Sequence, residues 1–388
     1  MGITIHQAPT GYTSAHEEVW HVVESTDKDL IGFQYVYDIY KGEQLLTRVK
    51  NFPFGDDQLG VLDVGNIVRS SLDSFNFPAI TPNAFTTEVT LGADVFWTEY
   101  SIQYGQVSGA VSGFVEVSGN LASGTYRVYN NYRRSRWDKT LSDIETPGGL
   151  DQCRLLTNRP NESYFYDGEP VVMTMFIDNT VTTKKRKVYS NGAYITQKVY
   201  NVSGNYNNAF VFSYMPSGTT NTIEITVDAL GTDLVTQTKV LNKKCSKYET
   251  HTLVFLNAYG VYDSFTFVHG KIMMTNEKKR FEQQRWRLSG NSMVEKSGSV
   301  YNEAMKTYAS KYKEKMMLTS DILSTGEYNW LSELINSPQV YYYSTERAEF
   351  YPVQITDTDY EFKDDKINKA DTLSVTIDFS ISQTTQYR

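Results

Sequence analysis

The feature that most constrains this chain is a two-residue alternation of apolar and polar side chains. In FQYVYDIY, residues 33–40, every second residue from Phe33 is apolar, and LSVTIDFSIS, residues 373–382, repeats the pattern from Leu373. A period of two places alternate side chains on opposite faces of a β-strand. Strand-favouring Tyr and Phe are abundant, with 29 Tyr and 19 Phe, whereas long runs of strong helix formers are rare. The sequence therefore predicts a mainly β fold with a few short helices.

The length predicts more than one domain. A chain of 388 residues exceeds the size at which a single hydrophobic core stops growing. The turn-rich segment TPGGLDQ, residues 146–152, marks a boundary. We expect β-sandwich or β-barrel-like domains: an N-terminal β domain at 1–147, a middle β domain and candidate insertion at 148–245, and a C-terminal β domain at 246–388.

Local patterns predict two short helices. In DVGNIVRSSL, Asp63 is placed to act as an N-cap. The second helix is predicted over 325–336, within the C-terminal domain, because Ser324 and Glu327 have the spacing of a capping box. The segment YASKYKEKMML, residues 308–318, is compatible with a helix or a strand.

Two further segments are predicted to be hairpins. TTKKRKVY, residues 182–189, has the composition of a solvated hairpin. LVFLNAYGVYDSFTF, residues 253–267, begins as a strand buried on both faces and turns at Asn257 and Gly260. Asp263, the carboxylate of this hairpin, is expected to accept local backbone hydrogen bonds at the turn.

No metal or cofactor site is indicated by the histidines and cysteines. His16 and His21 are five residues apart, whereas the HExxH zinc motif requires four. Cys153 and Cys245 are far apart and lack CxxC spacing, which predicts two buried reduced thiols and neither a disulfide nor a zinc site. We therefore expect no cofactor.

The start of the chain predicts synthesis in the cytoplasm without membrane association. MGITIHQAPTGYTS has neither the basic segment nor the apolar run of a secretory signal. The chain also lacks a run of about eighteen consecutive apolar residues.

The chain shows no nucleotide-binding or catalytic fingerprint. GxxxxGK[ST], GxSxG and the dinucleotide-binding glycine pattern are absent from the sequence. The two catalytic carboxylates of a glycosidase are defined by their distance in space, so the sequence alone does not decide whether such a pair is present. We expect a protein that is not an enzyme.

Two patches combine basic and aromatic residues, at 126–139 and 277–287. Such mixtures suit stacking with phosphate contact, but Tyr, Trp and Arg are equally enriched at protein interfaces. The net charge of −8 and pI near 5.3 argue against nucleic-acid binding over the whole surface and favour the interface interpretation. The predicted inter-subunit contacts are Arg133, Arg134, Arg136, Trp137, Arg285, Trp286 and Arg287.

Three segments resemble structural proteins of tailed bacteriophages that infect Bacteroidetes, including the crAss-like phages with short tails. They are FQYVYDIY followed by LGVLDVGNIV, the LNAYGVYDSFTF segment, and WLSELINSPQVYYY leading to FYPVQI. The resemblance covers most of residues 20–150 and 245–388 and does not extend to the middle domain.

The resemblance implies a virion protein of the neck or tail that is synthesised in the cytoplasm of the host bacterium. Identical copies would form a closed ring, sixfold or twelvefold, around the DNA channel with heterologous interfaces. Such a ring would join portal-proximal and distal tail components and let genomic DNA pass during ejection. A tail protein that binds host-surface glycans through exposed Tyr and Trp is the alternative, and a depolymerase enzyme is a third, weaker one.

Overall fold

Strands dominate the structure. The computed structural model describes residues 2–72, 80–82, 85, 89–93, 95–110, 113–132, 153–177, 183–201, 208–216, 218–228, 235–282, 286–295, 305–357 and 372–379. Within these residues, 25 strands form several sheets and only two segments are helical, which confirms the predicted mainly β fold with few short helices. Neither of these two helices has the length and apolar character needed to cross a membrane.

Two antiparallel sheets enclose the N-terminal core. In spatial order, the first contains β1 (Ile3–Gln7), β2 (Trp20–Ser25) and β5 (Gly60–Asp63), and the second contains β4 (Gln44–Asn51), β3 (Gln34–Lys41), β7 (Trp97–Ala110) and β8 (Gly113–Tyr129). Phe33, Tyr35, Tyr37 and Ile39 are all buried in the core between them. The face predicted from the alternation in FQYVYDIY is therefore confirmed.

The first helix, α1 (Gly65–Arg69), starts differently from the prediction. Its N-cap is Val64, which makes no side-chain cap. The Asp63 carboxylate instead accepts hydrogen bonds from the backbone N of Gly65 at 2.9 Å and of Val19 at 2.8 Å. Asp63 thus ties α1 to the segment before β2, a long-range role that its position in the sequence does not reveal.

The middle of the chain is a sandwich of two sheets. In spatial order, one contains β10 (Glu162–Phe165), β16 (Val235–Lys243), β15 (Thr222–Asp228), β12 (Thr183–Ser190) and β13 (Ala193–Asn201), and the other contains β6 (Val89–Leu91), β14 (Asn208–Tyr214), β11 (Val171–Ile177) and β9 (Cys153–Leu155). Side chains from both sheets form one core, including Met173 and Phe212 of one and Val188 and Ile225 of the other.

The middle sandwich includes a strand from the N-terminal part of the sequence. β6 pairs with β14 from Val89–Val211 to Leu91–Ala209, although it precedes the predicted boundary at residue 147. The boundary segment 146–152 itself lies outside the described residues.

The segment TTKKRKVY is not solvated as predicted. β12 does form a hairpin with β13, turning at Asn191 and Gly192, but its other edge pairs with β15. Alternate side chains of β12 therefore face the sandwich core. Arg186 is fully buried there, with its guanidinium carbon 3.8 Å from the centre of the Phe212 ring and 4.5 Å from that of Phe85. Contact with aromatic faces makes a buried cation tolerable.

The C-terminal part is built on a seven-stranded sheet. Its strands in spatial order are β18 (Tyr262–Phe267), β17 (His251–Leu256), β23 (Val340–Ser344), β24 (Glu349–Ile355), β25 (Ser374–Asp378), β22 (Met305–Thr319) and β19 (His269–Glu282). The ambiguous segment 308–318 is thus a strand. β20 (Trp286–Ser289) and β21 (Ser292–Glu295) form a separate hairpin.

The second helix, α2 (Thr325–Asn336), packs against this sheet. The Ser324 side chain accepts from the Glu327 backbone N, and the Glu327 carboxylate accepts from the Ser324 backbone N, so the predicted capping box is present. Trp330, Leu331 and Leu334 bury the apolar stripe against the sheet. The prediction of a helix over 325–336 is confirmed.

The hairpin at 253–267 lies between two cores. Leu253 and Phe255 face α2, whereas Val254 and Leu256 face the middle sandwich. All six residues of β17 are buried. The prediction of a strand buried on both faces is confirmed.

The expectation for Asp263 was wrong, because this carboxylate binds residues distant in sequence. Asp263 pairs with Phe255 in the β17–β18 register and is almost completely buried. Its carboxylate accepts from the Thr157 hydroxyl at 2.7 Å and from the Trp330 indole N–H at 3.1 Å. Burial raises the pKa of Asp263, while these donors and Arg159 oppose the rise.

Two buried cations, Arg159 and Lys239, lie near the Asp263 carboxylate, where the middle sandwich meets the C-terminal sheet. The Arg159 guanidinium donates to the Ser163 hydroxyl at 2.8 Å and to the Tyr164 carbonyl at 2.6 Å. The Lys239 ammonium donates to the carbonyl oxygen of Arg159. Burial lowers the pKa of Arg159 to about 10 and that of Lys239 to about 8. Charged groups of the middle sandwich and the C-terminal part therefore share one buried network, which joins the two.

Candidate assembly surface

A two-stranded ribbon extends from the C-terminal sheet. β25 pairs with β22 only over Lys315–Thr319, so within the described residues the ribbon strands 275–282 and 305–313 pair with each other alone. Eight residues of strand extend about 25 Å at about 3.3 Å per residue. The segment that joins the two strands contains the β20–β21 hairpin. We refer to residues 269–319 as the arm.

Apolar side chains are concentrated on the surface of the arm. Of the 21 large apolar side chains that are exposed in the described part of the chain, nine belong to the arm. They are Ile272, Met274, Phe281, Trp286, Leu288, Met293, Val294, Met305 and Tyr308. An isolated two-stranded hairpin is only marginally stable in water, and clustered exposed apolar groups mark interaction surfaces. The arm thus has the properties of a segment that is completed by a partner.

The arm is also the basic part of an acidic protein. Residues 269–319 contain eleven Lys or Arg and five Asp or Glu, a net charge of +6. The rest of the chain contains 26 Lys or Arg and 40 Asp or Glu, a net charge of −14. Lys278, Lys279 and Arg280 are exposed on β19, the edge strand of the sheet. A basic segment of this kind is attracted electrostatically to acidic surfaces.

Most of the predicted inter-subunit residues fall outside the described residues. Arg133, Arg134, Arg136, Trp137 and Arg285 lie there. Trp286 is 49% exposed on β20, opposite Glu295. Arg287 lies on the same strand, opposite Val294, and its side-chain position is not described. The patch at 277–287 therefore belongs to the arm, and its role in assembly stays a prediction.

The exposed apolar residues Ile272 and Met274 were not predicted from the sequence. Their strand pattern is the same as that of a buried strand, so periodicity alone does not reveal their exposure. The net charge of 269–319 was readable from the sequence and would have drawn attention to this segment.

A second exposed surface lies on the N-terminal domain, where the loops 26–32 and 52–59 are adjacent. The Lys28 ammonium donates to the carbonyl oxygen of Asp57 at 2.8 Å, which connects the two loops. The Tyr35 hydroxyl donates to the carbonyl oxygen of Gln58 at 2.9 Å and anchors the second loop on β3. We refer to these two loops as the acidic end.

The acidic end combines apolar side chains with carboxylates. Ile31 is 78% exposed and Phe54 is 71% exposed, and Leu30 and Phe52 are exposed beside them in sequence. The two loops contain four aspartates and one lysine, a net charge of −3. The acidic end therefore has apolar groups like those of the arm and the opposite charge.

A concavity of about 440 Å³ lies where the middle sandwich meets the C-terminal sheet. It is lined by the segments 166–169, 243–246 and 248–250 and by Thr345. Its lysines are engaged: the Lys243 ammonium contacts Asp167 at 2.7 Å, and the Lys244 ammonium contacts Asp321 at 3.1 Å.

The concavity also holds a buried carboxylic acid and a free thiol. The Glu169 carboxyl group accepts from the hydroxyls of Thr250 at 2.7 Å and Thr252 at 2.5 Å, and burial raises its pKa to about 7. Cys245 is exposed, so the prediction of a buried thiol was wrong for this residue, which lies in the connection after β16. These interactions within the chain are typical of a structural junction.

The histidines of HEEVWH also make internal contacts. His21 lies between two tyrosines, with Nδ1 2.7 Å from the Tyr104 hydroxyl and Nε2 2.7 Å from the Tyr100 hydroxyl. Burial lowers the pKa of His21 to about 4. His16 Nε2 lies 2.9 Å from Oδ1 of Asn130. Among the described residues, no group of three or more His, Cys, Asp or Glu side chains is placed to hold a metal ion.

Comparison with known proteins gives no family. No protein-family model matches the chain, and no curated protein matches it. Fibronectin(III)-like modules of Clostridium thermocellum CbhA are similar over 62% of this chain and 92% of theirs, with 11% identity and a TM-score of 0.18. E. coli alpha-2-macroglobulin is similar over 100% of this chain, which spans 26% of that protein, with 7% identity and a TM-score of 0.21. Likenesses this weak establish neither a fold family nor a function.

Proposed function

We propose that the chain is a virion structural protein of a tailed bacteriophage that assembles into a homo-oligomeric ring in the neck or tail. The ring would surround the DNA channel and join portal-proximal and distal tail components. The place in the virion follows from the sequence resemblance described above. The protein would act by assembly and not as an enzyme.

The observation that carries the assembly proposal is the arm. Within the described residues, the ribbon of the arm has no third strand, and the arm as a whole has nine exposed large apolar side chains. Such a segment gains stability when a neighbour covers it. Homo-oligomer interfaces are more apolar than the remaining protein surface. The buried network around Asp263 supports the same function, because it connects the arm-bearing sheet firmly to the middle sandwich.

The alternative of a glycan-binding tail protein has less support. Sugar recognition by stacking requires aromatic side chains grouped on one surface. Among the described residues, the exposed Tyr and Trp side chains are dispersed: Trp20 lies on β2, Tyr164 on β10, Tyr194 on β13 and Tyr248 in the connection after β16, and only Trp286 and Tyr308 share the arm. A receptor binder would block phage adsorption when added free, whereas a ring component would not.

The experiment is a measurement of assembly on the full chain. We expect light scattering after size exclusion to give one discrete oligomer, and single-particle imaging to show a closed ring. Replacing Ile272 and Met274 together by Asp is expected to give folded monomers, because these exposed side chains lie two residues apart on β19 and share one face of the arm.

The matched control places the same two charges elsewhere. Tyr194 and Ile195 are exposed to a similar extent, at 53% and 47%, on β13 of the middle sandwich. Their replacement by Asp is expected to leave the oligomer intact. A parent protein that stays monomeric at all concentrations, or arm variants that still form the ring, would contradict the proposal.

A further inference from the structure

We propose that the arm of one copy docks on the acidic end of the N-terminal domain of the next copy. This inference rests on the proposed ring and identifies the two surfaces that would meet at each subunit boundary. The arm is residues 269–319, and the acidic end is the loops 26–32 and 52–59.

The charges of the two surfaces are complementary. The arm has a net charge of +6 and the acidic end a net charge of −3. Opposite charges on two surfaces speed their encounter and fix which surfaces pair. Two arms meeting each other would bring like charges together, which disfavours a symmetric arm-to-arm dimer. Because the arm and the acidic end are different patches of one chain, their contact is heterologous and can close into a ring.

The exposed apolar groups of the two surfaces also match. Ile272 and Met274 are 54% and 68% exposed on one face of the arm, and Ile31 and Phe54 are 78% and 71% exposed on the acidic end. Interfaces have a desolvated apolar centre with a polar rim. Here the apolar side chains would form the centre, and lysines of the arm and aspartates of the acidic end would form the rim.

The contact is expected to use the face of the arm and not its edge strand. Lys278 and Lys279 lie on the edge strand β19, and lysines on an edge strand oppose the addition of a further strand. Nucleic acid is the other occupant that the charge of the arm would attract. Phosphate contact would leave Ile272, Met274 and the other apolar groups of the arm exposed, which favours a second copy of the chain.

The test reverses the charges of each surface and then recombines them. One variant carries Asp56→Lys and Asp57→Lys, which changes the net charge of the acidic end from −3 to +1. The other carries Lys271→Glu, Lys278→Glu, Lys279→Glu and Arg280→Glu, which changes the net charge of the arm from +6 to −2. All six side chains are exposed. Each variant alone is expected to associate roughly a hundredfold more weakly, because like charges then face each other.

Restoration is the decisive part of the test. A chain with all six substitutions is expected to regain the ring, because an arm of net charge −2 then meets an acidic end of net charge +1. An equimolar mixture of the two variants is also expected to regain it, as copies that alternate around the ring. The control Glu43→Lys with Glu346→Lys changes the net charge by +4, as the acidic-end variant does, at two exposed positions elsewhere, and it is expected to assemble normally.

Association is measured by sedimentation velocity, with circular dichroism and thermal unfolding confirming that each variant is folded.

If the parent forms a ring and both charge-reversed variants do so equally well, the proposed contact between the arm and the acidic end is wrong and the proposed function stands. If assembly is lost but neither recombination restores it, the acidic end is not the docking surface. If the arm variant keeps the ring but loses binding to a short DNA duplex, the occupant is nucleic acid. A parent that never self-associates would overturn both the contact and the proposed function.

Discussion

Replacement of Gly260 by Ala should separate the hairpin at 253–267 from the N-terminal domain. Gly260 has a φ of +72°, and a Cβ built on it would overlap the carbonyl oxygen of Asn130 and lie 2.5 Å from its carbonyl carbon. The neighbouring contact is a hydrogen bond from the Tyr132 backbone N to the Ala258 carbonyl oxygen at 2.8 Å. The turn can accept a methyl group only by moving away from residues 130–132.

The expected cost has three parts. A left-handed backbone conformation costs a non-glycine residue about 1–2 kcal/mol. Overpacking against a backbone that has little freedom to move costs about 1–3 kcal/mol. Loss of the Tyr132–Ala258 hydrogen bond removes about 1 kcal/mol more. We therefore expect Gly260→Ala to lower the free energy of unfolding by about 4 kcal/mol.

Gly168→Ala is the matched control. Gly168 has a φ of +74°, and no atom lies within 4 Å of a Cβ built on it. Its replacement should cost only the backbone part, about 1–2 kcal/mol. Both variants are compared with the parent by urea denaturation, with hydrogen exchange of the Tyr132 amide as a local probe. Equal losses for the two variants, or unchanged protection of that amide, would refute the close approach inferred here.

Two further predictions concern pH, and their signs are opposite. Burial lowers the pKa of His21 from 6.5 to about 4, so between these pH values the unfolded chain binds a proton that the native state does not. The free energy of unfolding should therefore fall by about 3 kcal/mol as the pH drops from 6.5 to 4. His21→Gln should remove this dependence of the free energy of unfolding on pH. Burial raises the pKa of Glu169 from 4.5 to about 7, so between these pH values the native state binds a proton that the unfolded chain has lost. The free energy of unfolding should therefore fall by about 3 kcal/mol as the pH rises from 4.5 to 7. Glu169→Gln should abolish this loss and be more stable than the parent at pH 8. Because the two effects oppose each other, urea midpoints of the parent between pH 4.5 and 6.5 should vary less than those of either variant. A variant whose midpoints run parallel to those of the parent would show that the residue does not titrate as inferred.

The local features of the fold could be predicted from the sequence. The buried face of FQYVYDIY follows from a period of two, and the helix at 325–336 follows from the spacing of Ser324 and Glu327. In both cases the determining interactions join residues that are neighbours along the chain. The same holds for the turn at Asn191 and Gly192.

The predictions that failed concern polar residues whose partners are distant in sequence. Asp263 binds Thr157 and Trp330, 106 and 67 residues away, and no local pattern indicates either partner. Arg186 was assigned to a solvated hairpin because its neighbours are lysines, but pairing of β12 with β15 places it in the sandwich core. Sheet order, which decides both cases, is set by long-range pairing.

For the candidate surface, the charge could be predicted from the sequence, whereas the exposure of the side chains could not. The amino-acid sequence by itself determined that residues 269–319 are basic while the remaining chain is acidic, because charge is a property of composition. Only the tertiary structure decided that Ile272 and Met274 face solvent and that the loops 26–32 and 52–59 are adjacent. An apolar strand is exposed or buried according to whether another layer covers it, and the strand's own sequence does not contain that layer.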